Sequence, residues 1–343
     1  MSEPLATVGI LSIGDMGMGV AQLLRHHGYR VLTNAEGRSQ DTRDRIQEAN
    51  IEIVSSDSAL VEVCDYILSI VPPRDAFPTA QRISSALSDP SRSKRAHPLY
   101  YLDLNAISPR TARATAALFT DPQVACFLDG GIIGHPPTLK SSPAPSTTDS
   151  STTSSSLEWK RPSIPISGPN PLSSAPRSGS HLAETLNIKH VSPDIGPASG
   201  LKCCFATMSK GYIALAIQAF TTAEQMGVLP ELKEAMSSSI PAQLERVEKG
   251  MTSMPPKAYR WVREMQEIGE CHAAEGGFAG AEEERSSGGN MNIFAAVANV
   301  YKAVAEDTVL GEERTGKRKR GGTVEDVASA MSEGLQRRMK KRA

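Results

Sequence analysis

At 343 residues the chain has room for two ordinary domains. Its 39% apolar and 22% charged residues are a globular composition, and a formal net charge of −1 gives bulk electrostatics no reason to favour nucleic acid or a membrane surface as main partner. No apolar run approaches the about 20 residues of a spanning helix, and Met1-Ser2-Glu3-Pro4 lacks the basic and apolar regions of a signal peptide.

The first hundred residues alternate between strand and helix patterns. Thr7–Ile13 is an apolar run long enough for a strand and too short for a helix. Glycines follow it, then Val20, Leu23 and Leu24 at helical spacing. Tyr29–Thr33, Ile51–Val54, Tyr66–Val71, Leu99–Leu104 and Val124–Leu128 continue the strand series, with helical patterns between the earlier ones. Such alternation predicts βαβ units and a Rossmann-type parallel sheet. Ser141–Ser156, almost all Ser, Thr, Pro and Asp, reads as a disordered surface insertion with little to bury. Ser163–Ile166 and Ile188–Val191 resume the strand pattern.

From Pro197 the pattern becomes one of long helices. Leu201, Phe205, Met208, Tyr212, Leu215 and Ala219 recur at three- and four-residue steps, and the helix is predicted to run to Met226 with Gly227 as its cap. Leu229–Val247, Tyr259–His272 and Ile293–Val304 read as further helices, and Gly276–Gly289 as a loop. The expected domains are a nucleotide-binding domain at 1–195, an all-helical C-terminal domain at 196–310 and a basic tail at 311–343. In that tail Val324, Val327, Met331 and Leu335 could form one helix stripe between the clusters Lys317–Arg320 and Lys340–Arg342. The tail reads as a solvated, partly helical appendage, with a nuclear address left open.

The five cysteines, Cys64, Cys126, Cys203, Cys204 and Cys271, have no zinc-like spacing, and the seven histidines form no ligand pattern. They read as reduced, buried small hydrophobes in a cytoplasmic or nuclear protein, and no metal is expected.

Ser12-Ile13-Gly14-Asp15-Met16-Gly17 lies between the first strand and the first helix, where a dinucleotide loop has G-x-G-x-x-G. Ser12 stands at the first glycine. Gly14 would let backbone approach a pyrophosphate, and Gly17 would let the helix pack against the strand. The helix N-terminus offers free N–H groups to phosphate. At the end of the second strand Asn34 replaces the acidic residue of an NAD site, and Arg38 is close enough to suit a 2′-phosphate. NADP is therefore expected ahead of NAD.

Four ordered segments resemble the β-hydroxyacid dehydrogenases related to 6-phosphogluconate dehydrogenase. They are Gly9–Gly17, Ile70-Val71-Pro72-Pro73, Leu102–Pro109 with Phe127–Gly134, and Gly196-Pro197-Ala198-Ser199-Gly200-Leu201-Lys202. The fit is closest to a less-studied branch with a distinctive helical C-terminal domain, matched by Asp129–Gly134, Lys210-Gly211 and Trp261–Ile268. The resemblance implies that Lys202 is the general acid–base group. It places Val71, Pro72 and Asn105 with Ser12–Gly17 at the cofactor, and Ile133, Gly134, His135 and Lys210 at the substrate. It also implies a homodimer.

The sequence departs from the family at three places. Ala206 stands where an asparagine usual in the family would follow the lysine by one turn. Asn105-Ala106 replaces a Ser-Thr pair. Ile133 replaces a serine that contacts a substrate carboxylate, with His135 or Lys210 as alternative donors, so small hydroxy acids are expected to be poor substrates. Two other functions stay open: an NADPH-dependent imine or ketone reductase, and a dinucleotide-binding protein without chemistry.

Overall fold

The computed structural model describes residues 3–90, 92–93, 95–139, 158–278, 293–314 and 316–341. The stretch read as an insertion, 141–156, and most of the Gly276–Gly289 loop lie outside the described residues. Two units result, residues 1–202 and 203–343.

The first unit runs β1 (Thr7–Leu11), α1 (Asp15–His26), β2 (Arg30–Asn34), α2 (Gln40–Glu48), β3 (Glu52–Val54), α3 (Asp57–Val63), β4 (Tyr66–Ser69) and α4 (Pro73–Leu87). It continues with β5 (Leu99–Asp103), α5 (Pro109–Ala116), β6 (Ala125–Gly130), β7 (Thr138–Leu139), β8 (Trp159–Lys160), β9 (Ile164–Ser167), α6 (Gly179–Thr185), β10 (Ile188–Ser192) and the start of α7 (Pro197–Ala206). The main sheet has the order β10-β9-β6-β5-β4-β1-β2-β3. β1, β4, β5 and β6 are buried along their whole length, as a parallel sheet covered on both faces requires. One apolar cluster packs on each face.

The predicted parallel sheet holds with one exception. β9 pairs antiparallel with β6, through Asp129↔Ser167 and Gly130↔Ile166. A short apolar run carries no sign of strand direction, so periodicity could not distinguish the two. β1 also ends two residues before the predicted Ile13, because Ser12 turns out of the strand.

The register lines up Leu11, Ser69, Asp103, Asp129 and Ser167 across five neighbouring strands near their carboxyl ends. β2 and β4 lie on opposite sides of β1, so the chain reverses its direction of travel at the β1/β4 boundary. Open α/β sheets bind ligands at such a switch point.

The second unit comprises the rest of α7, a π-turn at Thr207–Gly211, α8 (Tyr212–Met226), α9 (Leu229–Ser239), α10 (Pro241–Ser253), α11 (Ala258–Ala274), α12 (Ile293–Lys302) and α13 (Val324–Lys340). The predicted helix Leu229–Val247 is broken in two. Pro241 has no N–H to give and pushes Ile240 to φ −144°, ψ 55°, outside the helical region.

The helical run Pro197–Met226 is, by length and composition, long and apolar enough to cross a membrane, contrary to the sequence reading. Its inner face, with Ile213, Ala214, Ile217 and Phe220, lies in the core of the helical unit. The stripe singled out in the sequence faces outward instead: Leu201, Phe205, Met208 and Leu215 are all exposed.

The tail is not an appendage. Val324, Val327, Ala328 and Met331 of α13 are buried in the same core as α8. All five cysteines are reduced; Cys204 alone is exposed, against the expectation that all are buried.

Candidate active site

The loop after β1 has a serine where the first glycine of the expected dinucleotide loop would stand. Ser12 has φ +78°, a left-handed conformation that glycine adopts without cost and serine does not. The reason lies at Gly17: a Cβ there would sit 2.3 Å from the Ser12 carbonyl oxygen, so α1 can approach the loop only through a glycine.

Gly14 is the N-cap of α1 and supplies no side-chain cap bond. An added Cβ at Gly14 would meet nothing within 4 Å. The first-turn N–H groups of a helix have no intrahelical acceptor, so this N-terminus presents donors toward open space. Asp15 and Met16 open the helix. Asp15 is balanced by Arg45, whose Nε lies 3.8 Å from its carboxylate.

Asn34, at the end of β2, is buried and committed at both ends. Its Nδ2 donates to Asp57 at 2.9 Å, and its Oδ1 accepts from the Glu36 N–H at 2.9 Å. Asp57 is in turn gripped by the Arg82 guanidinium through bonds of 2.8 and 2.9 Å. Arg38, half-buried beyond the turn, makes no side-chain hydrogen bond or ion pair among the described residues.

Val71 and Pro72 leave β4 at the same end of the sheet, with Pro72 as the N-cap of α4. Asn105 holds them there. Its Oδ1 accepts from the Val71 N–H at 2.7 Å, and its Nδ2 donates to Ser69 Oγ at 3.0 Å and to Asp103 Oδ1 at 2.6 Å. Both polar atoms of the amide are engaged, and the residue is buried.

Asp103 and Asp129 are register partners on β5 and β6 and are both buried. Asp103 Oδ1 accepts from the Asn105 N–H and side chain, while Oδ2 has no hydrogen-bond partner among the described residues. Burial pushes the Asp103 carboxyl up to about 7; the Asn105 N–H works against the rise and the Asp129 charge adds to it.

Asp129 is fully satisfied. It accepts from Ser167 Oγ at 2.9 Å, the Gly196 N–H at 3.0 Å, the Ser199 N–H at 3.1 Å and Ser199 Oγ at 2.5 Å. Burial raises it too, and these bonds oppose the rise. A carboxylate at the first turn of α7 complements the helix dipole. The sequence places both aspartates in matching segments but gives neither a role, since their roles depend on tertiary neighbours.

Asp129 therefore fixes the helix that carries Lys202. The Lys202 side chain is half-buried and its Nζ donates to the Ile132 carbonyl. Ile133 is half-buried and bridges Ser163, donating to its carbonyl at 2.8 Å and accepting from its N–H at 2.9 Å. The Gly131 N–H goes to the Pro165 carbonyl at 3.1 Å. Gly134 and His135 are exposed, Gly134 with φ +134°.

Lys210 lies in the π-turn of the helical unit and is largely buried. It forms an ion pair with Glu264 and sits 4.9 Å from the centre of the Trp261 ring, while Tyr301 OH donates to its carbonyl at 2.5 Å. Burial lowers its pKa and Glu264 pulls it back up. The motif residues Lys210, Trp261 and Glu264 thus come together as an internal pair. A substrate anion would have to compete with Glu264 for the ammonium.

Comparison with known proteins bears on the fold. Residues 7–91 match the family described as NADP oxidoreductase, coenzyme F420-dependent, and residues 223–304 match a domain of unknown function (DUF1932). No curated protein sequence matches the chain significantly.

Among solved structures, 3-hydroxyisobutyrate dehydrogenase from Mycobacterium tuberculosis, solved with L-serine, is 14% identical with a TM-score of 0.57, over 96% of this chain and 99% of that one. A conserved hypothetical protein from Sinorhizobium meliloti 1021 is 19% identical with a TM-score of 0.56, over 96% and 97%. A conserved protein of unknown function, described as structurally similar to 3-hydroxyacid dehydrogenases, is 21% identical with a TM-score of 0.53, over 88% and 97%. The chain thus shares the fold of these structures, a Rossmann-like unit followed by a helical one.

Proposed function

We propose that the chain is a nicotinamide-dependent oxidoreductase that interconverts a carbonyl and an alcohol, with NADP(H) as the better cofactor and Lys202 as the acid–base group. The observation that carries this reading is the pairing, within one unit, of an open glycine N-cap at Gly14 with a lysine held at the Ile132 carbonyl. The cradle fits a dinucleotide, since the space beside Gly14 is empty of protein and any side chain there would fill it. Gly14, Asp15, Met16 and Gly17 would hold the pyrophosphate through backbone N–H groups, and the Val71-Pro72 turn would line the nicotinamide side.

When bound, NADPH supplies a hydride to the carbonyl carbon. The Lys202 ammonium gives the oxygen its proton, becomes a neutral amine and regains a proton from water; in oxidation the amine takes the alcohol proton. Nζ is kept in place by the Ile132 carbonyl, which occupies one of the three donors of an ammonium.

NADP is favoured in this reading because the end of β2 carries an uncharged residue, and Arg38 follows the exposed Glu36. Asn34 replaces the acid, and Asp57 is neutralised by Arg82. Replacing Arg38 with Ala is expected to weaken NADPH binding by about 10- to 100-fold, the loss of one charge-assisted hydrogen bond, and to leave NADH nearly unchanged. Equal losses for both would remove Arg38 from the phosphate.

The substrate is expected to lack a carboxylate beside its reacting carbon. Ile133 offers no side-chain donor, and the Gly131 and Ile133 N–H groups are already spent on Pro165 and Ser163. A carboxylate left short of donors loses about 1–3 kcal/mol, or roughly one to two decades in affinity. Ile133→Ser should therefore raise activity on small hydroxy acids. High wild-type turnover of 3-hydroxyisobutyrate would overturn this specificity. The exposed Phe205, Met208 and Leu215 are the face this reading gives to a second copy, detectable by sedimentation as twice the chain mass.

A further inference from the structure

Two glycines follow Asp129, and they are small for different reasons. A Cβ at Gly130 would strike Leu104, Ile166 and the Pro165 backbone, so Gly130 is a packing glycine. A Cβ at Gly131 would meet Lys202: the three nearest atoms are its Cβ at 2.9 Å, Cγ at 3.1 Å and Cδ at 3.7 Å. The stem of Lys202 lies along the bare Gly131 backbone, and its Nζ ends on the carbonyl of the next residue, Ile132. Asp129, two residues earlier, anchors the first turn of α7 through Gly196 and Ser199. One strand exit thus fixes the lysine three times: at its helix start, along its stem and at its amine.

We propose that Gly131 is a positioning residue for Lys202, a slot that confines the lysine stem and delivers its amine to the Ile132 carbonyl. The inference rests on the reading of Lys202 as the acid–base group for its catalytic meaning, and on geometry alone for the slot. A long four-torsion side chain has many rotamers, and a flat backbone on one side with a carbonyl at the end selects among them. A methyl at Gly131 would take the space of Lys202 Cβ and Cγ, which sit too close to their own helix to swing aside. The stem must then leave the slot and the amine must leave Ile132.

The test uses the full chain and two readouts. Lysines are labelled by reductive methylation with formaldehyde and dimethylamine–borane across a pH series, and each site is followed by peptide mass spectrometry. In the wild type Lys202 should label more slowly than the exposed Lys160 and Lys189. In Gly131→Ala its rate should rise severalfold and its pH midpoint should move, with Lys160 and Lys189 unchanged. An unchanged rate and midpoint at Lys202 would overturn the slot. The second readout is NADPH oxidation with whichever carbonyl compound the wild type turns over best. Gly131→Ala should lower kcat more than it changes KM, and should have no further effect in a Lys202→Met background. If Lys202→Met alone leaves turnover intact, the catalytic reading fails while the labelling still decides the slot.

Should Gly131→Ala not fold, the Gly131→Ala/Lys202→Gly double variant decides. Removing the stem frees the space the methyl needs, so the double variant should regain a cooperative unfolding transition that Gly131→Ala lacks. Failure of both to fold would overturn the proposal.

Discussion

Lys202→Met is expected to fold, to bind NADPH as the wild type does, and to lose turnover by about 10²- to 10⁴-fold, the usual contribution of a general acid–base group. Methionine is the informative replacement because its unbranched stem fits the groove along Gly131 where the lysine stem now lies. The fold contacts of the stem are kept, and the proton donor at Ile132 is removed. A mere structural lysine would give the opposite pattern, a lower Tm with kcat retained. The cradle proposed at Gly14–Gly17 does not include Lys202, so NADPH affinity serves as the control. Retained kcat would assign proton transfer elsewhere.

Asp103→Asn is expected to make the protein more stable at pH 8 and to have little effect near pH 4. Burial pushes the Asp103 carboxyl to about 7 in the folded chain, against an ordinary value of about 3.9 when unfolded. Between these values the folded state holds more protons than the unfolded state. Stability is therefore highest below the unfolded value and falls as pH rises through about 7. Above that the chain carries ionised Asp103 beside Asp129, with Oδ2 unpartnered among the described residues. The amide oxygen of asparagine can keep both bonds from Asn105 while removing the charge. The gain at pH 8 is expected to be on the order of 2–4 kcal/mol, read as a difference between denaturation curves at the two pH values. A pH-independent change, or a loss at pH 8, would show that ionised Asp103 costs the folded state nothing.

How far the sequence could be read depended on whether a feature is local. Strand followed by glycine loop followed by helix is a local signal, and the β1–α1 junction was legible even with Ser12 in place of glycine. What could not be read is that Ser12 keeps the left-handed backbone, since that depends on how closely Gly17 approaches. The helix break at Ile240-Pro241 was legible in principle, because the residue before a proline is driven from the helical region; the apolar period on both sides hid it. The apolar stripe Leu201–Leu215 has helical spacing on an outward face, and period alone does not say which side of a helix is buried.

The site residues divide in the same way. Lys202 is proposed as the acid–base group because an ordered motif surrounds it in the sequence. The roles of Asp103, Asp129 and Gly131 come from partners across strands or about 70 residues away, as in the Asp129–Ser199 bonds. Asn105 was expected at the cofactor, and the structure adds what its position alone does not give: its amide bonds Val71, Ser69 and Asp103. Likewise Ile133 was singled out for its side chain, whereas the bridge to Ser163 that spends its backbone donor involves a segment beyond the Ser/Thr/Pro-rich stretch.

The most direct test of the central claim is a screen for NADPH and NADH oxidation with aldehydes, ketones, 2- and 3-oxo acids and imines, run in parallel on wild type and Lys202→Met. The expected result is NADPH-preferring turnover of an aldehyde or ketone without an adjacent carboxylate, lost in the variant while NADPH binding persists. Turnover confined to imines and undiminished in Lys202→Met, or a wild type that binds neither cofactor, would contradict it.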